Sequence, residues 1–455
     1  MGELKGKIGL EIHTYLVAKE KLFCKCKASR ERGLKPNINI CPICTGQPGA
    51  KPMLPNKEAV SKAVLIGRML GCLINKNWKW QRKHYDWSDM PKGYQNTISG
   101  GSVRGIGVDG NFNGIGIWSL HLEEDPASWE PESGKVDYNR SGLPLVEIIT
   151  APDFESSSEV VSWLRKLVHN LSYLKVADSN AGIKVDVNIN ISGKSERVEV
   201  KNINSIENIG KAINYELERQ SREGGKKKET RRYDALKDKT VVMRAKEGAE
   251  DYRFITDPDL IDVNLSAEFI SEIEKKVPES PEKKLEKLIK RYKIDKRSAS
   301  VLAKNIDIVE FFEEVIKESK LGVKFVLPWV AVELLRHLNY NKVKLDEVDI
   351  KVKDFVKLLE LVNSGKITEL QGKQILNRFY PESFDPSKEV EGKINDEREL
   401  ERAVKKVLEA NRKAVEDYKK GEKNSFNFLM GQIMKETDKR ADFGLARKVL
   451  AELLD

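Results

Sequence analysis

The sequence predicts an α+β fold in three parts: an antiparallel-sheet-containing cradle (residues 1–278), an all-helical domain (279–389) and a small helical tail domain (390–455). Three observations carry that prediction. Short runs in which apolar and polar residues alternate, the period of a half-buried strand, recur through the first 260 or so residues. Beyond Pro278 charged, leucine-rich helical patterns take over, beginning with Glu282-Lys-Lys-Leu-Glu-Lys-Leu-Ile-Lys-Arg. The proline- and glycine-containing stretch from Phe379-Tyr-Pro-Glu-Ser-Phe-Asp-Pro386 to Gly392 then separates the last helical unit.

In chain order, Ile8, Leu10 and Ile12 alternate with Gly9, Glu11 and His13 in a first strand. The glycines around Gly105-Ile-Gly-Val-Asp-Gly110 imitate a dinucleotide-binding fingerprint, but no helix follows, so glycine-rich hairpins explain them better. Ser156-Ser-Ser-Glu159 has the form of a capping box, and Val160, Trp163, Leu164, Leu167, Leu171 and Leu174 continue at helical spacing. Two strands follow, Lys184 to Ile191 and Arg197 to Lys201. They turn one apolar side inward and set Asp186, Asn188, Asn190, Glu199 and Lys201 on the other. Gly193-Lys194-Ser195 between them is a turn, since position 188 is Asn and the leading glycine of a P-loop is missing. A helix is expected to start at Asn204 or so, with Ile206, Ile209, Ile213 and Leu217 as its buried stripe. In the tail, Leu400, Val404, Val407 and Leu408 line one helix face.

Composition excludes little. Lys and Arg number 80 against 71 acidic residues, and the net +9 permits a polyanionic partner without requiring one. The best apolar run, Phe325 to Val332, contains Pro328 and ends at Glu333, and Met-Gly-Glu-Leu-Lys-Gly-Lys is no secretory signal. A soluble, cytoplasmic chain without membrane contact is expected.

Chemistry enters through charge set in apolar sequence. Glu147 lies between Leu145, Val146, Ile148 and Ile149, where an ionised carboxylate needs a cation beside it. Strand periodicity puts Glu11 and His13 on one face, and with Glu147 and either Glu123 or Glu124 they would form a mostly oxygen site suited to Mg2+ or Mn2+. The bland alternative is a solvated face for Glu11 and His13, with Glu147 paired to Arg140 or a lysine. Separately, Cys24, Cys26, Cys41 and Cys44 form two close pairs, a knuckle-like pattern for structural Zn2+. Free thiols or a redox pair are the alternatives, because Cys-x-Cys is tighter than the usual gap. Cys72, within Met-Leu-Gly-Cys-Leu-Ile, has the setting of an ordinary core residue. The basic run Lys226-Lys-Lys-Glu-Thr-Arg-Arg232 fits either a phosphate contact or a solvated surface.

Eleven separated segments resemble a known family. They are Gly9-Leu-Glu-Ile-His13, Leu22-Phe-Cys24, Cys41-Pro-Ile-Cys44, Pro91-Lys-Gly-Tyr-Gln95, His121-Leu-Glu-Glu-Asp125, Val136-Asp-Tyr-Asn-Arg140, Leu145-Val-Glu-Ile148, Asp186-Val-Asn188, Lys201-Asn-Ile-Asn-Ser205, Asp251-Tyr-Arg-Phe254 and Asp257-Pro-Asp-Leu260. Together they resemble the B subunit of the aspartyl/glutamyl-tRNA amidotransferases, and Gly431-Gln-Ile-Met-Lys435 extends the likeness into the tail, whose role would be tRNA binding. The resemblance implies an ATP-dependent ligase that phosphorylates the side-chain carboxylate of Glu-tRNA(Gln) or Asp-tRNA(Asn). Ammonia from a glutaminase A subunit would then displace the phosphate, with a small C subunit completing a heterotrimer. It also implies Mg2+ held by Glu11, His13, Glu124 and Glu147. Nucleotide or the aminoacyl end would be bound by Lys83, Tyr85, Asp186, Asn188 and Lys201. Tyr85-Asp-Trp-Ser-Asp-Met-Pro91 departs from the family's usual Tyr-Phe-Tyr-Pro-Asp-Leu-Pro. Two alternatives remain: the archaeal E subunit, specific for Glu-tRNA(Gln) and usually enlarged by an extra domain, and a non-catalytic, zinc-bearing tRNA-binding adaptor.

Overall fold

The computed structural model describes residues 5–31, 33–85, 87–100, 103–177, 182–224, 227–245, 253–388, 394 and 397–454. The chain divides into two compact units, Met1–Ser280 and Pro281–Asp455.

The first unit is built on one large sheet. Its principal strands are β1 (Lys7–Tyr15), β2 (Gln81–His84), β3 (Tyr94–Thr97), β4 (Gly107–Phe112), β5 (Ile115–Glu124) and β6 (Pro144–Thr150). They continue with β7 (Ile183–Asn190), β8 (Val198–Ile203), β9 (Glu229–Asp234), β10 (Lys239–Ala245) and β11 (Arg253–Thr256). The order across the sheet is β10-β9-β8-β7-β1-β6-β5-β3-β2-β11, with β4 pairing β5 off that path. The named neighbours are antiparallel except β8 and β9, which run parallel. β4 and β5 form the hairpin expected of the glycine-rich stretch, and it turns at Asn113 and Gly114, both at positive φ.

Alternation decides which face is which. Ile8, Leu10 and Ile12 of β1, Leu120 and Leu122 of β5, Val146 and Ile148 of β6, and Val185, Val187 and Ile189 of β7 join one core. Helices α1 (Lys57–Met69), α2 (Ser157–Leu174) and α3 (Ile206–Glu223) supply its other wall through Val64, Leu164, Leu167, Ile209 and Ile213. Each such side chain, when fully buried, contributes about 1.5–3 kcal/mol. A one-residue slip of β1 would turn all three of its isoleucine and leucine side chains out and Glu11 and His13 in, so the register is firmly specified. Cys72 is 1% exposed in the same core.

The helix starts differ in detail from expectation. Ser156 Oγ does accept the Glu159 N–H, but the Glu159 carboxylate returns to the N–H of Glu155, one residue before the cap. α3 is capped by Ser205, whose Oγ accepts from Asn208 N at 3.1 Å, and not by Asn204. In the basic run 226–232, Lys226 lies outside the described residues, while Arg231 is 7% exposed and turned inward. Its Nε sits 3.0 Å from a carboxylate oxygen of Glu216, a wholly buried residue that also takes Arg219 Nη2 at 2.8 Å and Gln220 Nε2 at 3.1 Å. Removing one partner of a buried ion pair strands the other charge. Glu216→Ala should therefore cost about 3–5 kcal/mol in chemical denaturation; a loss below about 1 kcal/mol would show the guanidiniums finding other support.

The second unit is helical and holds two separate cores. One gathers Phe312, Trp329, Phe355 and Phe379, the other Leu400, Val404, Val407, Leu429, Ile433, Val449 and Leu450. The sequence placed a boundary between 389 and 390, and both residues lie outside the described ones. Among the described residues no helix is long and apolar enough to cross a membrane.

Candidate metal centres on the polar sheet face

The solvent-side face of the sheet carries the charge. β1 lies between β6 and β7, with His13 opposite Glu147 on one side and opposite Lys184 on the other; Glu11 is opposite Asp186. Because strand residues two apart share a face, Glu11, His13 and Tyr15 form a row flanked by Glu147 and by Asp186 and Lys184. Next out, His121 lies opposite Glu147, and Glu123 opposite Leu145.

Glu11, His13 and Glu147 place one ligand atom each within 4.8 Å of one another, so they could hold a metal ion. The His13 ring nitrogen Nε2 is 3.3 Å from Glu147 and 3.9 Å from Glu11. Among the described residues Glu147 therefore pairs with neither Arg140, which faces Asp125 at 3.1 Å, nor a lysine, and the cation beside it is the imidazole. Burial and the Glu147 charge push the Glu11 carboxyl well above the usual carboxylate range. Burial also acts to raise Glu147, but hydrogen bonds from His13 and Glu11 outweigh it and hold Glu147 well below that range. For His13 burial favours the neutral ring, yet the bond and charge of Glu147 and the charge of Glu11 prevail, raising its pKa to about 9. Without a metal the cluster therefore favours the charged forms of Glu147 and His13 and disfavours that of Glu11.

Glu11 belongs to a second group with Asp186 and Glu199, again within 4.8 Å. Lys201 spans it, 3.0 Å from Asp186 and 2.6 Å from Glu199. Burial opposes the lysine's charge, but the two carboxylates overcome it and raise its pKa. Asn188, half-buried, is the cross-strand neighbour of Glu199.

The other expected residues lie apart from the first group. Glu124 ends β5 beside Pro144, where its carboxylate accepts the Asn96 N–H at 2.9 Å and pairs with Lys92. Asn96 passes the contact on to Asp257, which Arg82 clamps through Nε at 3.0 Å and Nη2 at 3.1 Å. Lys83, on β2, sits opposite Gln95, three strands across the sheet from Glu147 and offset from it along the strands. Tyr85 follows it, half-buried. Asp251, from the quoted Asp251-Tyr-Arg-Phe254, lies outside the described residues.

Four thiols form a second centre. The sulfurs of Cys24, Cys26, Cys41 and Cys44 lie within 4.8 Å of one another, with Cys41 and Cys44 3.9 Å apart, and none is in a disulfide. A tetrahedral ion with Zn–S bonds near 2.3 Å sets its sulfurs about 3.8 Å apart, so this donor set fits a metal such as zinc. The Cys24 hydrogen bond, the Cys41 N–H and the Lys21 ammonium together overcome burial and bring the Cys44 thiol down to about 4. Lys21 is 1% exposed and reaches Cys44 Sγ at 3.5 Å and the Tyr138 carbonyl at 3.1 Å. Ser141 Oγ donates to the Cys44 carbonyl at 2.7 Å, so the knuckle fastens the loop leading into β6 and Glu147.

Glu123, offered from sequence as the alternative to Glu124, is held by other partners, and two lysines of the face were given no role. Glu123 accepts from Thr97 at 2.5 Å and Gln95 at 3.1 Å, while Lys92 and Lys184 carry charge beside the clusters. The parity of β5 and β7 held the signal for Glu123 and Lys184. Lys92, just ahead of β3, lies in the quoted segment Pro91-Lys-Gly-Tyr-Gln95 but was assigned no role there.

Residues 6–271 match the model of the GatB/GatE catalytic domain, and residues 310–454 match that of the GatB domain. The chain is 42% identical to the B subunit of the aspartyl/glutamyl-tRNA(Asn/Gln) amidotransferase of Methanocaldococcus jannaschii, covering 100% of this chain and 99% of the relative. It is 42% identical to the same-named protein of Methanobrevibacter smithii, with 98% and 99% covered, and 39% identical to that of Methanopyrus kandleri, with 99% and 98% covered.

Proposed function

The chain belongs to the GatB/GatE family, and from that premise we propose that it is the B subunit of a tRNA-dependent amidotransferase, a ligase that converts Glu-tRNA(Gln), Asp-tRNA(Asn) or both to their amides. Near-complete coverage of relatives named as B subunits supports this over the E subunit. The observation that carries the chemistry is the convergence of Glu11, His13 and Glu147 on the polar sheet face.

In this reading Glu11, His13 and Glu147 would hold Mg2+, and Glu124, paired with Lys92 at the end of β5, is the fourth ligand that the family resemblance implies. Bound there, Mg2+ would neutralise phosphate oxygens during phosphoryl transfer from ATP to the substrate carboxylate. Glu147 supplies fixed negative charge from a buried strand position, and His13 gives up its proton to become a neutral ligand. Lys201, held by Asp186 and Glu199, and Asn188 present donors toward nucleotide or the aminoacyl end, with Lys83 and Tyr85 at the far side of the face. Amide formation needs ammonia, not water, so the acyl phosphate must form out of bulk solvent. The ammonia would come from a glutaminase A subunit, with a small C subunit in a cytoplasmic heterotrimer. The four-cysteine knuckle holds structural Zn2+, and the tail contacts tRNA.

The deciding assay offers Glu-tRNA(Gln) and Asp-tRNA(Asn) separately to the assembled enzyme with ATP, Mg2+ and ammonium salt. Amide formed on either supports the reading, and the pair of results assigns the substrate. Tight tRNA binding without amide on either would favour the adaptor.

Metal binding should also depend on pH. The His13 pKa is raised to about 9, so below that pH the ring holds a proton that a cation must displace, and burial beside Glu147 raises the Glu11 carboxyl in the same direction. Mg2+ affinity should therefore rise with pH, by roughly tenfold per unit below His13's value if one proton is released. Calorimetry giving a flat profile between pH 6.5 and 8.5 would contradict this ligand set.

A further inference from the structure

Lys184 stands on β7 directly opposite His13, on the face that carries the cluster. It is half-buried, and among the described residues no carboxylate lies within 4.0 Å of its ammonium. Its nearest aromatic neighbour is Tyr15, with the ammonium 6.0 Å from the ring centre, and Arg30 stacks on that ring at 3.5 Å. Arg140 is also near, but Asp125 takes it up at 3.1 Å. Asp125 and Asp186 act on Lys184 only from beyond ion-pair distance. A half-buried ammonium with carboxylates only beyond ion-pair distance and two guanidiniums nearby is poorly compensated until an anion arrives.

We propose that Lys184, backed by Arg30 and Tyr15, forms a phosphate-binding subsite beside the metal cluster. This rests on the phosphoryl-transfer reading above. His13 and Lys184 are cross-strand neighbours about 5 Å apart at their Cα atoms. That spacing lets one polyphosphate share its oxygens between a divalent cation at His13 and the ammonium, the pairing that neutralises charge in phosphoryl transfer. The phosphate could belong to the nucleotide or to the tRNA 3′ end.

The test uses the full chain with Lys184→Met and Lys184→Arg, titrated with the non-hydrolysable imido analogue of ATP plus Mg2+, with deacylated tRNA, and with Mg2+ alone. Loss of one charge-assisted hydrogen bond should weaken analogue binding roughly 10- to 100-fold in the Met variant, with Arg restoring most of it and Mg2+ binding undiminished. The same loss confined to tRNA would support the subsite and assign the phosphate to RNA. Unchanged affinity for both, or an equal loss of Mg2+ alone, would overturn the subsite. Wild-type chain that binds no Mg2+–analogue would instead overturn the phosphoryl-transfer reading itself.

Discussion

Glu147→Gln should abolish amide formation from Glu-tRNA, ATP, Mg2+ and ammonium in the assembled enzyme, with kcat/KM falling by at least about 10²–10³, as for loss of a fixed electrostatic element at a reacting centre. The substitution preserves size and a hydrogen-bonding end but removes the charge that organises the cluster. Two further readouts separate this from unfolding. Without its strongest anion, His13 loses the cause of its raised pKa and should titrate well below 9 by NMR. Mg2+ affinity should fall, while far-UV circular dichroism and tRNA binding stay as in wild type. His13→Ala should be similarly inactive. Full activity in both variants would remove the cluster from the chemistry.

The second large effect is expected at Cys44→Ser. Here two losses coincide: a candidate metal ligand and the sulfur beside a buried lysine. Lys21 is 1% exposed, and an ammonium there is tolerable only with a thiolate at hand. The variant should lose bound zinc, from about one per chain to none by elemental analysis, and about 3–5 kcal/mol of stability. Chelation of the wild type should lower its Tm in the same direction. Cys72→Ala, in the apolar core and away from the knuckle, is the control and should keep its zinc. Wild-type protein free of zinc and indifferent to chelators would return the four cysteines to ordinary thiols.

Much of the first unit was legible because period-two alternation is a local property. Ile8, Leu10 and Ile12 marked the buried side of β1, and that alone put Glu11 and His13 opposite it. Cysteine spacing likewise named all four thiols of the knuckle before any coordinates. The resemblance led to the family that the comparisons show. What could not be read was anything set by register between distant strands. The expectation that Glu147 needs a cation was physical, but a bound metal, Arg140 or a lysine were the partners on offer until the pairing of β1 with β6 set His13 beside it.

From sequence alone came the α+β class, the change to helices after residue 278, the anomaly at Glu147 and the residues of both candidate metal clusters. Only the tertiary structure decided which charges meet. It made Glu11 common to two acidic groups, gave Glu124 to Lys92, turned Arg231 inward onto Glu216 and left Lys184 beside His13 with no carboxylate in reach among the described residues. The reason is that side-chain direction along a strand follows from the two-residue repeat. Cross-strand distance depends instead on which strands pair and in what register, choices made by the packing of the apolar face and not written beside the charged residues themselves.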